Sequence, residues 1–201
     1  MRNAIAVRED IRDLILDAAG TLLARFGYAK MTMDDVAREV GVAKGTLYLH
    51  FPSKKEVVLS RLDRMVERLG AELERIAASD LDAAAKLRQM LLTRVLYRFD
   101  YAKPYATSMD EMLASIRADL YARREKHFAI EARALAAVVS EGFPVVDAGA
   151  TARAMLLATN ALLPGSLTVK QLGRRDVVEE RVTHIAALLI DGLRFRARRT
   201  K

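Results

Sequence analysis

The sequence predicts an all-α protein of about eight or nine helices, and three observations support this fold class. Apolar residues recur at helical spacing along most of the chain, and no stretch alternates in the manner of a strand. The composition is rich in Ala, Leu and Arg, with 10 Gly and 4 Pro among 201 residues, which favours helices over a sandwich or a barrel. With 52% hydrophobic residues, the chain can bury a sizeable core.

The first two helices are recognised by their apolar spacing and their end signals. Gly27 is predicted to end the first helix, as a glycine after a helix commonly does. Thr32 begins the second helix, Asp35 follows three residues later in the pattern of a capping box, and Gly41 ends it. The predicted apolar stripe of the first helix consists of Ile11, Leu14, Ile15, Ala18, Leu22 and Phe26.

A third short helix, residues 44–51, follows the glycine almost at once, with Leu47 and Phe51 on its inner side. Pro52 ends it, and Ser53 caps a longer fourth helix. Beyond the fourth helix, breaks in the apolar pattern leave candidate helices around residues 82–101, 110–140, 148–163 and 175–196.

Composition and charge exclude several classes of protein. The chain has no Cys, which excludes disulfide scaffolds and thiolate metal sites. Its start carries no long apolar run, and the longest uncharged stretch, residues 154–169, is too short to span a bilayer, so we expect a cytoplasmic protein without membrane contact. The net charge is +7, but residues 194–201 contribute five cations and no acid, and we interpret that basic tail as a solvated end.

Two short helices joined by a tight glycine turn are typical of a helix-turn-helix, whose second helix enters the DNA major groove. The same spacing also occurs in helical hairpins that belong to a core. The residues left to face outward favour DNA, because they offer donors for phosphate and base edges and one glycine where backbone could approach a groove. They are Lys44, Gly45, Thr46, Tyr48 and His50.

The start of the fourth helix carries a second signal. Lys54 and Lys55 occupy its first turn, where the helix dipole is already positive and cations are mildly unfavourable. Free amides and two lysines at a helix N-terminus suit an anion such as phosphate. A solvated lysine pair beside an ordinary cap is the alternative interpretation.

The stretch from Phe26 to Glu56 resembles the DNA-binding domain of the tetracycline-repressor (TetR) family. The resemblance rests on Phe26-Gly27-Tyr28, on Met31-Thr32-Met33-Asp34-Asp35-Val36-Ala37, and on Gly41-Val42-Ala43-Lys44-Gly45-Thr46-Leu47-Tyr48-Leu49-His50-Phe51-Pro52-Ser53-Lys54-Lys55-Glu56. With the first helix it covers about a quarter of the chain. It implies a homodimeric bacterial transcription regulator, usually a repressor that binds a double-stranded DNA operator and responds to a small-molecule effector.

The resemblance also assigns domains and roles. Residues 1–52 would form the helix-turn-helix domain and residues 53–201 the effector-binding and dimerisation domain, connected by the helix from 53 to about 77. Thr32 would cap the second helix and touch phosphate, and Lys54 would bind phosphate. The residues facing base edges would be Ala43, Lys44 and Gly45. The residues contacting the DNA backbone or nearby bases would be Thr46, Tyr48 and His50. Asp34 departs from the pattern, because some members place a base-reading cation there.

For the effector, the sequence offers a group of aromatic, Met and Arg side chains, although Met and Tyr at helical spacing are more often core than ligand box. Arg94 and Arg98 lie one turn apart and could meet an anionic ligand, but we favour pairing with Asp100, Asp110 or Glu111, or exposure to water. The full candidate group is Arg94, Tyr97, Arg98, Tyr101, Tyr105, Met109, Met112 and Tyr121.

The last two long helices suit a homodimer interface. The first of them is Ala-rich, and the second has one apolar stripe formed by Val178, Val182, Ile185, Leu189 and Leu193. The same stripes could instead pack within one subunit.

No enzyme is expected, because we find no catalytic site, no cofactor fingerprint and no metal site. His127 with Glu131 and His184 with Glu180 are interpreted as solvated one-turn pairs, which do not make a metal site. Two alternatives to a specific regulator stay open. One is a nucleoid-type protein without sequence preference, and the other is a helical ligand-binding protein that no longer binds DNA.

Overall fold

The computed structural model describes residues 2–164, 171 and 173–199, and the side chains of residues 10–164, 171 and 173–195. Each regular element that it describes in this part of the chain is helical, which confirms the all-α class. The described α-helices, numbered in chain order, are α1 (Arg2–Lys30), α2 (Met33–Val40), α3 (Lys44–His50), α4 (Lys54–Ala77), α5 (Ala83–Ala102), α6 (Met109–Gly142), α7 (Ala148–Thr159) and α8 (Arg175–Arg199), with short 3₁₀ helices at Lys103–Tyr105 and Asn160–Leu162.

The helix limits lie close to the predicted ones, with two differences. Gly27 interrupts the first helix with φ 77° and ψ 170°, but helical structure resumes as far as Lys30. α7 ends at Thr159, before the predicted residue 163, because a 3₁₀ helix follows it directly. The side chains of the basic tail beyond residue 195 lie outside the described residues.

Contacts divide the chain into two compact units. The first comprises Met1–Met65 and Pro104–Ala122, and the second comprises Val66–Lys103 and Arg123–Lys201. The first unit therefore contains the segment around the start of α6 as well as the first three helices. The functional division after residue 52 stays a prediction.

The buried face of α1 differs from the predicted stripe. Leu14 is 57% exposed and Phe26 is 44% exposed, whereas Leu16, Ala19 and Leu23 are buried. α1 has apolar residues on more than one side, so spacing alone does not determine which side α2 covers. The buried face is thus rotated from the predicted one, although Ile15 and Leu22 belong to both.

Arg61 joins three segments of the first unit. Its guanidinium is buried, donates to the backbone carbonyl of Leu16 on α1, and donates to the hydroxyl of Tyr105 at 2.8 Å. The ring of Tyr105 is itself buried. Buried charged groups are tolerated when they are hydrogen-bonded in this way.

The core of the second unit is formed by α4, α5, α6, α7 and α8, with Leu87, Leu135 and Ile190 among its fully buried side chains. Val178 and Val182 of the predicted α8 stripe pack in a neighbouring cluster with Val95 of α5. These stripe residues therefore pack within one subunit, which was the alternative to their forming the dimer surface.

A buried ionic cluster connects α5, α6 and the end of α7. Arg94 is 1% exposed, and its Nε donates to Glu131 Oε2 at 2.5 Å. Its other nitrogens donate to Thr159 Oγ1 at 2.7 Å and to Asn160 Oδ1 at 2.6 Å. Arg98 donates to both oxygens of Glu131, at 2.6 and 3.1 Å. We refer to these five residues as the Arg94 cluster.

The Arg94 cluster corrects two expectations. Arg94 and Arg98 pair with Glu131, not with Asp100, Asp110 or Glu111, and they do not point into water. His127 and Glu131 are both buried, so they are not a solvated pair. Spacing showed that the two arginines share a face of α5, but it did not indicate which helix supplies their acid.

Charge in the cluster is unequal, since two guanidiniums share one carboxylate. Burial lowers the pKa of the Arg94 guanidinium to about 10, and the neighbouring Glu131 charge opposes that shift. Arg94 therefore stays protonated at neutral pH. Each buried side-chain nitrogen and oxygen among the described residues has a hydrogen-bond partner, so the network is fully satisfied.

Replacing Glu131 with Gln is expected to destabilise the protein strongly. The change leaves the buried guanidinium of Arg94 and the half-buried guanidinium of Arg98 without their counter-charge, and breaking a buried pair costs about 3–5 kcal/mol. Urea unfolding followed by helical circular dichroism measures this loss.

Glu125→Gln is the matched control, because Glu125 lies on the same helix but forms an exposed pair with Arg153. We expect no resolvable change in its unfolding midpoint. Equal stability of the two variants would show that the Arg94 cluster is not needed to hold these helices together.

Candidate DNA-binding site

The capping box predicted at the start of α2 is present. The Thr32 hydroxyl accepts the backbone N–H of Asp35 at 3.1 Å, and the Asp35 carboxylate accepts the backbone N–H of Thr32 at 3.1 Å. The Thr32 hydroxyl also donates to that carboxylate at 2.6 Å, and these bonds lower the pKa of Asp35. The hydroxyl proton of Thr32 thus has a partner within the chain, and its contact with phosphate stays a prediction.

The turn between α2 and α3 requires its glycine. Gly41 has φ 77° and ψ 29°, a left-handed conformation that residues with a side chain rarely adopt. Its N–H donates to the carbonyl of Ala37 at 3.0 Å, and the N–H of Val42 donates to the same carbonyl. Ala43 then begins α3 without a side-chain cap. The chain therefore reverses within a few residues, as a helix-turn-helix requires.

α3 has seven residues, and two apolar anchors determine which side faces inward. Leu47 and Phe51 are completely buried, and the Arg12 guanidinium lies 4.5 Å from the centre of the Phe51 ring. Because each residue turns the helix by about 100°, these anchors direct Gly45 and Leu49 away from the core.

The outward side of α3 partly matches the predicted one. Lys44, Gly45 and Tyr48 are exposed, whereas Thr46 and His50 are half-buried. Leu49 is 85% exposed and was missed by the sequence analysis. Its position two residues after Leu47 and two before Phe51 could have identified it, since both anchors lie roughly opposite.

An ion pair links the two helices of the motif. Lys44 Nζ lies 2.8 Å from Asp34 Oδ1, and both side chains are more than half exposed. The hydrogen bond and the charge of Asp34 raise the pKa of Lys44. Asp34, the position that departs from the family pattern, therefore offsets the charge of a proposed DNA-binding lysine.

The two lysines at the start of α4 also have partners in the first unit. Lys54 Nζ donates to the carbonyl of Tyr28 at 2.8 Å and lies 4.5 Å from the centre of the Tyr28 ring. Lys55 Nζ lies 3.0 Å from Asp119 Oδ2 on α6. Ser53 accepts the N–H of Glu56, as the predicted cap requires. An ammonium has three donors, so Lys54 keeps donor capacity for phosphate, and that role stays a prediction.

The candidate effector residues fall into both compact units. Arg94 and Arg98 belong to the Arg94 cluster, and Tyr97 packs against the core of the second unit. Tyr121, in the first unit, is 60% exposed. Of the others, Tyr101 is half-buried in the second unit, and Tyr105, Met109 and Met112 are buried in the first.

Two open hollows lie on the second unit. One, of about 610 Å³, surrounds the start of α8, and the other, of about 490 Å³, lies along α8. Neither is lined by a candidate effector residue. The first is lined by Phe99, Lys103, Gly173, Arg174, Arg175, Asp176 and Glu179, and the second by Leu162, Val177, Glu180, Arg181, His184 and Ile185.

Within the described residues, no helix combines the length and the apolar character needed to cross a membrane.

Curated proteins with similar sequences are named as transcription regulators. The chain is 37% identical over 82 residues to the HTH-type transcriptional repressor KstR2 of Rhodococcus jostii. The matched residues are 41% of this chain and 40% of that protein. It is 38% identical over 74 residues to the HTH-type transcriptional regulator EthR of Mycobacterium tuberculosis, covering 36% and 34%. The matched region thus spans about two-fifths of the length of these relatives or less.

Solved structures share the fold along most of the chain. A transcriptional regulator from Cytophaga hutchinsonii superposes with a TM-score of 0.71 at 18% identity, covering 90% of this chain and 97% of that one. A putative TetR-family transcriptional regulator from Mesorhizobium loti gives 0.71 at 14% identity, covering 92% and 96%.

The family model described as "Bacterial regulatory proteins, tetR family" matches residues 15–60. This range contains the capping box, the Gly41 turn and all of α3. With the helix-turn-helix geometry, this match shows that residues 15–60 are similar to the corresponding segment of the tetR family of bacterial regulatory proteins.

Proposed function

We propose that this protein is a ligand-responsive transcription regulator of the cytoplasm. It binds an inverted-repeat operator in double-stranded DNA as a homodimer, represses transcription there, and is released by a small-molecule effector. The observation that carries the proposal is the exposed side of α3, held outward by Leu47 and Phe51 within a tetR-family domain.

Roles follow from position on the motif. Ala43, Lys44 and Gly45, at the start of α3, face base edges, and Tyr48 contacts the DNA backbone or a nearby base. The half-buried Thr46 and His50 contact the backbone from the flanks of α3. Thr32, Lys54 and Lys55 contact phosphate, which requires them to share or exchange their present partners.

Gly45 supports an external partner for α3. Apart from the adjoining residues and the backbone of its own helix, a methyl group built at this residue meets no atom within 4 Å, so packing against the rest of the fold does not require glycine here. Glycine inside a helix costs about 1 kcal/mol relative to alanine. Close approach of the α3 backbone to the wall of the DNA major groove is the proposed reason why glycine is present despite this cost.

Dimerisation is proposed through the exposed side of α7 and α8. Leu157 is 57% exposed, Leu188 64% and Phe195 60%. These exposed side chains lie outside the buried α8 stripe, and in the proposed dimer they form part of the surface between two copies. A dimer places its two α3 helices about 34–36 Å apart, in successive major grooves.

The effector acts through the second unit. A ligand that binds better to a conformer with the wrong spacing of the α3 helices shifts the population toward that conformer and releases the operator. The Arg94 cluster, with one positive charge in excess, makes an anion the favoured chemistry near Arg94 and Arg98.

The proposal is tested by selecting bound fragments from sheared genomic DNA of the source organism. Protein refolded from urea is used, so that a co-purified effector is removed. An inverted-repeat motif, bound at least about a thousandfold more tightly than bulk DNA, supports a specific regulator. Uniform and steeply salt-dependent binding indicates the nucleoid-type alternative. No binding at low salt contradicts a DNA-binding function.

Gly45→Ala is expected to stabilise the protein while weakening operator binding. The added methyl group raises helix propensity, by up to about 1 kcal/mol, but it stands between the α3 backbone and the groove. Loss of about one good base contact lowers operator affinity on the order of tenfold. Thermal unfolding and gel shift on the same preparation separate the two effects, and an unchanged affinity would remove Gly45 from the interface.

Leu188→Asp is expected to convert a dimer to a monomer, because it places a charge in an apolar interface. Light scattering after size-exclusion chromatography measures the mass of the particle. Operator affinity is expected to fall when the dimer is lost. Leu81→Asp is the matched control, since Leu81 is 45% exposed but lies between α4 and α5. A Leu188→Asp variant that stays dimeric would place the interface elsewhere.

A further inference from the structure

Leu49 is an exposed apolar side chain on the surface that the proposed function assigns to DNA. It is 85% exposed, on a seven-residue helix whose inward side is already formed by Leu47 and Phe51. Single exposed leucines are common on protein surfaces. Leu49 differs because it lies near the middle of the outward side of α3, one turn after Gly45.

The neighbours of Leu49 on the outward side have different chemistry. Lys44 carries an ammonium, and Tyr48 carries a hydroxyl on a ring that is 44% exposed. Gly45 presents only backbone, and apart from the adjoining residues and its own helix backbone, nothing lies within 4 Å of a methyl group built there. A groove wall can therefore approach the helix at Gly45, which brings the isobutyl group of Leu49 close to the base edges.

The chemistry of leucine restricts what it can recognise. Its side chain neither donates nor accepts a hydrogen bond, so it gains nothing from a phosphate oxygen or from the N7, O6 and amino groups of the bases. In the major groove, the apolar group on a base edge is the 5-methyl of thymine. Contact between two hydrocarbon groups removes both from water, which is favourable.

We propose that Leu49 is a specificity-determining residue that reads a thymine in each half-site of the operator through its 5-methyl group. The inference rests on the proposed function, because it requires α3 to enter the major groove. It adds a base preference for this chain: a thymine is favoured at the position opposite Leu49, and a base without a methyl group is disfavoured.

The test is a scan of the selected operator in which each thymine is replaced in turn by uracil. Uracil keeps every hydrogen-bonding group of thymine and lacks only the methyl. At the position read by Leu49, loss of the methyl is expected to weaken wild-type binding about fourfold per half-site, from the transfer free energy of one buried methyl-sized group. Changing both half-sites together gives a loss on the order of tenfold.

Leu49→Ala completes the cycle. This variant should bind the thymine operator more weakly than wild type, and at the identified position it should not distinguish uracil from thymine. Because Leu49 is exposed, the substitution leaves the fold intact, which circular dichroism checks. Leu81→Ala, at an exposed leucine outside the motif, should keep the full uracil penalty.

The outcomes separate this inference from the function beneath it. Sequence-specific binding without a uracil penalty at any position overturns the assignment of Leu49 and leaves the regulator intact. The same penalty in Leu49→Ala as in wild type also overturns it, because another group then reads the methyl. A wild-type protein that selects no motif overturns the proposed function and, with it, the inference.

Discussion

The burial of Leu47 and Phe51 is the constraint on which the candidate site depends. A helix of seven residues is too short to be stable alone, so α3 exists because these two side chains anchor it. Their positions then determine, by helical geometry, which residues face outward. The Gly41 turn limits where α3 can start relative to α2, and the capping box of Thr32 and Asp35 determines where α2 starts. A few local interactions thus orient the whole outward side.

The second unit depends on a different kind of interaction. Arg94, Glu131 and Thr159 are almost completely buried, and they join three helices through charge-assisted hydrogen bonds. An apolar cluster of the same volume would hold the helices as well or better. Polar groups in a core instead impose one arrangement, since each donor needs its own acceptor.

Much of the fold could be predicted because its signals are local. Helical spacing, the caps at Thr32 and Ser53 and the glycine at position 41 each act within a few residues, so the chain alone displays them. The motif of α2 and α3 could be predicted for the same reason.

What could not be predicted depends on contacts between distant segments. Glu131 is the partner of Arg94 only because α5 and α6 pack together, and 37 positions separate them. Leu14 is exposed because other residues of α1, among them Leu16 and Leu23, form its buried face. Lys54 reaches the carbonyl of Tyr28 across 26 positions, which no local pattern indicates. Leu49 is different: its exposure could have been predicted from the spacing of Leu47 and Phe51, although it was missed.

The pair between Lys44 and Asp34 bears on how many copies of the protein a cell needs. Affinity for DNA of arbitrary sequence rises with the number of phosphates that cations neutralise. Asp34 offsets the charge of Lys44, which the proposed function places beside the DNA, so each molecule is expected to spend less time on random stretches of chromosome. Since a genome offers on the order of a million or more competing sites, weaker retention there leaves a larger share of a small population free. Under the proposed function, a low copy number is then enough to keep a single operator occupied.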